Sequence, residues 1–117
     1  MSVSYFVRYT GKAEDPEGFK AHYRGAHSEI MKQYPRIRAC RLHCPVEWHD
    51  PVPVNKDQIF MLAELIFDSL EDLNFSLQSE ARMRSRADFN NFPKLQDGYI
   101  VHVATQTETL FDFRQTS

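Results

Sequence analysis

The feature that most constrains the fold is the run of residues 59–67, whose sequence is IFMLAELIF. Glu64 is its one charged residue, so a strand formed here carries apolar side chains on both of its faces. We therefore predict a central strand in a sheet that is covered on both sides. A chain of 117 residues is predicted to form one domain, residues 1–117, around that sheet.

The remaining elements follow from local patterns. Asp15, Pro16 and Glu17 together are a strong helix start, and an apolar stripe that includes Ala26 then recurs at three- and four-residue steps as far as Tyr34. Ser69 and Ser79 each begin a further helical piece. The predicted strands are residues 3–9, 37–46, 59–67 and 99–107, and the predicted first helix is residues 16–34.

The element order is β-α-β-β-α-β, which is the order of the ferredoxin-like fold in the α+β class. That fold is an antiparallel sheet with both helices on one face. The third strand is apolar on the opposite face as well, so something must cover it. A second copy of the chain is the simplest cover, and we predict a homodimer.

The net charge of -2 implies no strong field for nucleic acid or acidic membranes. The run from Arg82 to Arg86 is predicted to be a solvated helix face, since the third strand lacks the Gly, Lys and Arg of RNA-binding sheets. No window holds eighteen apolar residues and no leader is evident, which favours a cytoplasmic protein without membrane contact. Cys40 and Cys44 would lie about 13 Å apart on a strand, too far to bridge.

His27 is the sharpest candidate for chemistry. It lies in the middle of the apolar helix stripe, one turn from Tyr23 and from Ile30 or Met31, with Tyr34 beyond. In a dry aromatic pocket the pKa of its imidazole would fall and the neutral ring could accept a proton. The other interpretation is a core histidine with satisfied hydrogen bonds.

Other polar residues leave alternatives open. His43 and His102 lie on predicted strands, and the sequence does not say which sheet face either occupies. Arg8 and Glu64 could pair with each other or flank a substrate. Trp48 could border a pocket or cap the core or the dimer seam. Cys40, His43, Cys44 and His49 lack the spacing of a zinc site, so no metal is predicted.

One set of residues carries a family resemblance: Phe19, Tyr23, Arg24, His27, Ile30, Pro35 and Ile37. In this spacing they resemble the EthD-type branch of the dimeric α+β barrel superfamily. A later set is similar to the second helical region of that family: Ser79, Glu80, Asp88, Asn91 and Phe92. Two positions depart from the pattern, because Glu29 stands where the family usually has Pro and Arg36 where it usually has Gly.

The resemblance implies a dimer packed sheet against sheet, with an apolar pocket between each sheet and its helices. We expect a small cofactor-free enzyme of the isomerase, cyclase or lyase type that acts on an apolar cyclic or carbonyl substrate. His27 would be the acid/base group, and His102 would join the helical residues in the pocket. The alternatives are a non-catalytic accessory protein of a degradation pathway that holds a small ligand, and a cofactor-independent monooxygenase.

Overall fold

The computed structural model describes residues 2–114, so Met1 and residues 115–117 of the predicted domain lie outside it. Its main sheet is antiparallel, with the strand order β3-β4-β1-β6. The strands of this sheet are β1 Val3–Tyr9, β3 Ala39–His43, β4 Met61–Phe67 and β6 Ile100–Gln106. The short strands β2 Lys12–Ala13 and β5 Leu95–Gln96 form a separate antiparallel pair.

The first helical region is one continuous helix with a wide turn in its middle. Helix α1 Pro16–His22 runs into a π turn, Tyr23–His27, and then into α2 Ser28–Met31. The second region consists of α3 Leu70–Leu77, α4 Glu80–Ala87 and a 3-10 turn, Asp88–Asn91. None of the helices among residues 2–114 is both long and apolar enough to cross a membrane.

The predicted βαββαβ order and the ferredoxin-like class are confirmed. The helix starts lie where the capping residues placed them. The Asp15 side chain accepts a hydrogen bond from the Gly18 N–H, and Ser69 accepts one from the Asp72 N–H. Each cap satisfies a backbone donor that has no partner inside the helix, which fixes where the helix begins.

Several predicted boundaries were too generous. The first helix ends at Met31 rather than Tyr34, because the Tyr34 N–H bonds the Met31 carbonyl in a tight three-residue turn. The second strand is Ala39–His43 rather than residues 37–46, and the third begins at Met61 rather than residue 59. The last strand is Ile100–Gln106. The loop between β3 and β4 is correspondingly longer.

Arg36 turns the chain from the helix into β3. Its φ is +67°, in the left-handed region that glycine adopts without strain. Two contacts hold the side chain in place: its Nη1 lies 3.1 Å from Asp72 Oδ1, and its guanidinium lies 3.9 Å from the centroid of the Phe75 ring. The backbone at Arg36 therefore has the conformation expected of a glycine, and the arginine side chain links the turn to α3.

The alternate residues of β4 separate the two faces of the sheet. Met61, Ala63, Leu65 and Phe67 are buried beneath the helices, whereas Leu62, Glu64 and Ile66 point the other way and are only half-buried. Val101 and Val103 of β6 add to this second face, and Val103 is 54% exposed. No element of the described chain covers it. We call it the open sheet face.

Candidate active site

A narrow cavity of about 30 Å³ lies between the helices and the covered face of the sheet. We call it the His27 cavity. The sheet lines it with Tyr5, Val7, Tyr9, Leu65 and His102, and the first helical region and the turn after it with Tyr23, His27, Met31 and Tyr34. The second helical region contributes Arg82, Ser85, Arg86 and Phe89. Its walls are therefore mostly aromatic, with basic groups on one side.

The structure brings most of the predicted pocket residues together. Tyr23, His27, Met31, Tyr34 and His102 all line the cavity. Ile30 is not among its lining residues, so of the two alternatives at this turn it is Met31 that faces inward.

His27 is 3% exposed, and one nitrogen of its imidazole is hydrogen-bonded to a carboxylate. Its Nδ1 lies 2.9 Å from Oδ2 of Asp88, which is 6% exposed. Because an ionised carboxylate only accepts hydrogen bonds, the proton of the neutral ring lies on Nδ1. Nε2 has no hydrogen-bond partner among residues 2–114 and is the ring nitrogen left for a molecule in the cavity.

Asp88 is shared by three polar side chains. His22 Nε2 also lies 2.9 Å from Oδ2, and the side-chain amide of Asn91 donates to Oδ1 at 2.9 Å. The His22 side chain is 22% exposed and Asn91 is exposed, so both reach solvent, whereas His27 and Asp88 are buried. We call Asp88, His22, His27 and Asn91 the Asp88 cluster.

The π turn places both histidines on Asp88. In a regular α-helix, residues five apart lie on different faces, so His22 and His27 would diverge. Here the Ser28 N–H bonds the Tyr23 carbonyl, five residues back, which widens the turn by one residue. His22 and His27 then lie on one face. The extra residue also explains why Ala26, counted in the predicted apolar stripe, is exposed.

The surroundings favour the neutral form of His27 and the ionised form of Asp88. Burial lowers the pKa of His27 below its ordinary value, and the hydrogen bond to Asp88 opposes this only in part. Burial would raise the pKa of Asp88, but the hydrogen bonds from Asn91, His27 and His22 outweigh it and lower that pKa. At neutral pH the pair is therefore a neutral imidazole beside a carboxylate.

Aromatic rings exclude water from the imidazole. The centroid of the His27 ring lies 4.9 Å from that of Tyr23, 5.5 Å from Phe89 and 5.1 Å from Phe92. Burial also raises the pKa of the Tyr23 phenol, so Tyr23 stays protonated. Its hydroxyl donates to the sulfur of Met31. A dry site of this kind strengthens any electrostatic interaction within it.

The other candidate residues lie away from this cavity. Arg8, Glu64 and His43 are on the open sheet face, and Arg8 does not pair with Glu64. Arg8 pairs with Asp57, whereas Glu64 accepts hydrogen bonds from Ser4 and His43. The two charges lie two residues out of register across β1 and β4, where Arg8 faces Leu62 and Phe6 faces Glu64.

The cysteines and histidines of residues 40–49, which lack zinc-site spacing, and the loop tryptophan also lie apart from the cavity. Within residues 2–114 no group of three His, Cys, Asp or Glu side chains is arranged to hold a metal ion. Cys40 and Cys44 are free thiols. Trp48 is half exposed in the loop before β4, where Lys56 lies over its ring at 4.6 Å.

The sequence left Asp88 and His22 out of the predicted site. Asp88 is 61 residues from His27 and lies just past a helix whose end the sequence did not place sharply. His22 is polar and five residues from His27, a spacing that α-helical periodicity assigns to another face. A signal was nevertheless present, because Asp88 and Asn91 both belong to the second region of family resemblance.

The comparison with solved structures decides the fold. An EthD family protein from Bacillus halodurans C-125 superimposes with a TM-score of 0.71 and 20% identity, covering 92% of this chain and 100% of that one. The chain has the EthD-type fold. No protein-family model matches the sequence, and no curated protein is significantly similar to it.

Two further structures with the EthD-type architecture are enzymes. A hydroxynitrile lyase from Passiflora edulis matches with a TM-score of 0.65 and 14% identity, over 95% of this chain and 97% of that one. SnoaB, a cofactor-independent oxygenase from Streptomyces nogalater, matches with a TM-score of 0.62 and 13% identity, over 95% and 98%. At these identities the likeness extends to the fold and not to the reaction.

Proposed function

We propose that the protein is a small cofactor-free enzyme of the isomerase, cyclase or lyase type, in which His27 moves a proton on an apolar cyclic or carbonyl substrate. The observation that carries this is the state of His27. Its ring is buried at the wall of a cavity, Asp88 fixes the proton on Nδ1, and Nε2 has no partner within residues 2–114. A core histidine that served only packing would have both nitrogens satisfied.

The proposed step is removal of a proton from carbon beside a carbonyl. Nε2 of His27 takes the proton, and the electron pair of the C–H bond moves to the carbonyl oxygen as an enolate. Asp88 stabilises the imidazolium through Nδ1, as a carboxylate does in hydrolase triads. Return of the proton to a different carbon gives an isomer, and loss of a group from the adjacent carbon gives a lyase product.

The neighbours support this class without naming the reaction. A lyase and a cofactor-independent oxygenase occur on the same fold, so the fold can carry chemistry of this kind. If the enolate reacted with O₂ instead of a proton, the protein would be a cofactor-independent monooxygenase. If no proton moved at all, it would be a ligand-holding accessory protein.

We also propose that the working form is a homodimer in the cytoplasm. The open sheet face carries neighbouring apolar side chains that are half-buried or exposed, the kind of patch that marks a protein–protein interface: Phe6, Leu62, Ile66, Val101 and Val103. The C-terminal segment adds Leu110, Phe111 and Phe113, all strongly exposed. A second copy packed on this face would bury both, and free thiols at Cys40 and Cys44 suit a reducing compartment.

The proton-transfer proposal is tested by exchange of substrate hydrogen in D₂O. A panel of small ketones and lactones is incubated with the protein, and deuterium uptake beside the carbonyl is followed by proton NMR. The variant His27→Gln should lose the catalysed exchange by roughly 10²–10⁴-fold, the range for a general base, with its thermal midpoint retained. His43→Gln, on the open sheet face, is the matched control and should exchange normally.

The outcomes separate the alternatives. Oxygen consumption with conversion of the CH₂ beside the carbonyl into C=O, one oxygen atom entering the product and the other leaving as water, identifies the monooxygenase. Saturable binding of a panel member without exchange identifies the accessory protein. A His27→Gln variant that exchanges as fast as the natural protein contradicts the proposal.

A further inference from the structure

Two arginines of α4 line the His27 cavity, Arg82 half-buried and Arg86 exposed at its edge. Arg82 and Arg86 are four residues apart, so they lie on one face of the helix, and both line the cavity. Arg84 lies between them, is exposed and does not line it. The basic face that was predicted to be solvated is exposed at Arg84 and Arg86 and half-buried at Arg82, and Arg82 and Arg86 line the cavity as well.

Neither cavity arginine has an acidic partner in the described chain. Arg8, Arg36, Arg38 and Arg114 each form an ion pair with an aspartate. The guanidinium of Arg82 instead lies 5.7 Å from the centroid of the Tyr5 ring. The guanidinium of Arg86 lies 5.8 Å from the ring of Phe89 in the same way. These cation–π contacts orient the two groups and leave their N–H donors free for a ligand.

The charged side chains that line the cavity are positive. Among residues 2–114, no Asp or Glu lines the cavity. The Asp88 carboxylate, on the Nδ1 side of His27, is already bonded by His22, His27 and Asn91. The pKa of His102 is lowered, first by burial and then by the positive charges of Arg86 and Arg82. Low-dielectric walls lined by one sign of charge concentrate ions of the opposite sign.

A wider groove beside the His27 cavity places Arg86 between the two spaces. The His27 cavity is narrow, but a wider groove of about 530 Å³ adjoins it and shares Arg86, Phe89 and His102 as its walls. Phe19 and Phe92 line the far side of that groove. A molecule could therefore lay an apolar body in the groove and pass its reacting end toward His27, with Arg86 at the junction.

We infer that the substrate is a small carboxylate, bound through its carboxylate group by Arg82 and Arg86, with its reacting carbon beside Nε2 of His27. This inference deepens the proposed function and rests on it for the role of His27. A planar guanidinium matches a carboxylate with two parallel hydrogen bonds, and such charge-assisted bonds are about twice as strong as neutral ones. The same two cations also stabilise negative charge that develops on an enolate oxygen.

The test is a ligand titration that does not need turnover. Phenylacetate is compared with its neutral isostere phenylacetamide at low salt, and the imidazole signals of His27 and His102 are followed by NMR. Phenylacetate should bind at least about tenfold more tightly, the factor that 1.4 kcal/mol of charge-assisted bonding supplies. The variant Arg82→Gln/Arg86→Gln should lose this preference, and Arg84→Gln should keep it.

Thermal melting checks that each variant is folded. If the double glutamine variant unfolds, Arg82→Lys/Arg86→Lys keeps both charges without the planar fork and should retain a reduced preference. Equal affinity for the acid and the amide, no saturable shift with phenylacetate, or a loss in Arg84→Gln as large as in the double variant overturns the inference. His27→Gln should still bind phenylacetate, so anion binding and proton transfer can fail separately.

Discussion

Asp88 determines what His27 can do. A buried imidazole without a partner on Nδ1 could carry its proton on either nitrogen, and half of the molecules would then present a donor to the substrate. The Asp88 carboxylate removes this ambiguity, and Asn91 holds the carboxylate itself at its other oxygen. In the proposed mechanism Asp88 and Asn91 thus orient the base from the side of the ring opposite Nε2.

We expect Asp88→Asn to fold but to lose most of its activity. The amide presents an N–H as readily as an oxygen, so it no longer fixes the proton of His27 on Nδ1 or stabilises the imidazolium. Catalysed exchange should fall by tenfold or more, toward the roughly 10⁴-fold loss of the same change in a hydrolase triad. The ¹⁵N spectrum of His27 should show the Nδ1–H tautomer in the natural protein and a mixture in the variant; an unchanged spectrum would contradict this.

Stability should fall on the acid side of neutrality. The pKa of His27 is below its ordinary value of 6.5 in the folded chain, so the unfolded chain binds more protons as the pH falls through 6.5. The free energy of unfolding should therefore decrease as the pH drops from 7 toward 5, and His102 contributes with the same sign. Denaturant titrations should give a shallower slope in His27→Gln; an identical slope would contradict the prediction.

At the scale of the element, the turn at Arg36 combines strain with two contacts. Left-handed backbone costs a non-glycine residue about 1–2 kcal/mol, whereas glycine adopts it freely. Arg36→Ala should lose the contacts to Asp72 and Phe75 and keep the strain. Arg36→Gly should lose the same contacts and relieve the strain, and should therefore be about 1 kcal/mol more stable than Arg36→Ala in denaturant titrations. Equal stability of the two variants would show that the strain is absent.

The glycines of the first helix should respond in opposite ways to alanine. A Cβ at Gly25 would have no atom within 4 Å, so Gly25→Ala should raise stability by up to about 1 kcal/mol through helix propensity. A Cβ at Gly18 would lie 2.2 Å from the Asp15 carboxylate that caps the helix. Gly18→Ala should therefore lower stability by about 0.5–2 kcal/mol, the value of an N-cap. Thermal melts that rank the two variants in the reverse order would contradict this.

The elements themselves were largely predictable, because helix caps and apolar periodicity are local signals. Asp15, Ser69 and Ser79 marked helix starts correctly, and the doubly apolar run marked the central strand. The π turn was not predictable in the same way. It adds one residue to a helix that periodicity treats as regular, which is why Ala26 was counted in the stripe and His22 was left out of the site.

At the scale of the whole molecule, the open sheet face predicts the state of assembly. The natural protein should sediment as a dimer at micromolar concentration. Val103→Lys places a charge on the apolar face, at its β6 side, and should give a monomer, because an unpaired charge is costly to bury. Met83→Lys makes the same change at an exposed site on α4 and should remain dimeric. A natural protein that sediments as a monomer would contradict the dimer.

The site is less predictable than the fold because it is assembled over long distances in the sequence. His27 and its helical neighbours share one stretch of chain, so spacing alone grouped Tyr23, Met31 and Tyr34 with it. Asp88, Arg82 and Arg86 reach the same cavity only because the second helical region packs beside the first. No periodicity within either region records that contact.

The π turn also bears on how the chain could change length. A π turn uses five residues where an α turn uses four, so loss of the exposed Gly25 would let the helix close into regular turns with both histidines still facing Asp88. One residue can thus be gained or lost inside this helix without turning His22 and His27 away from Asp88. A sequence alignment that admits gaps only in loops would then shift either His22 or His27 by one position relative to a protein without the π turn. The shifted histidine would be matched to a residue that does not face the equivalent of Asp88.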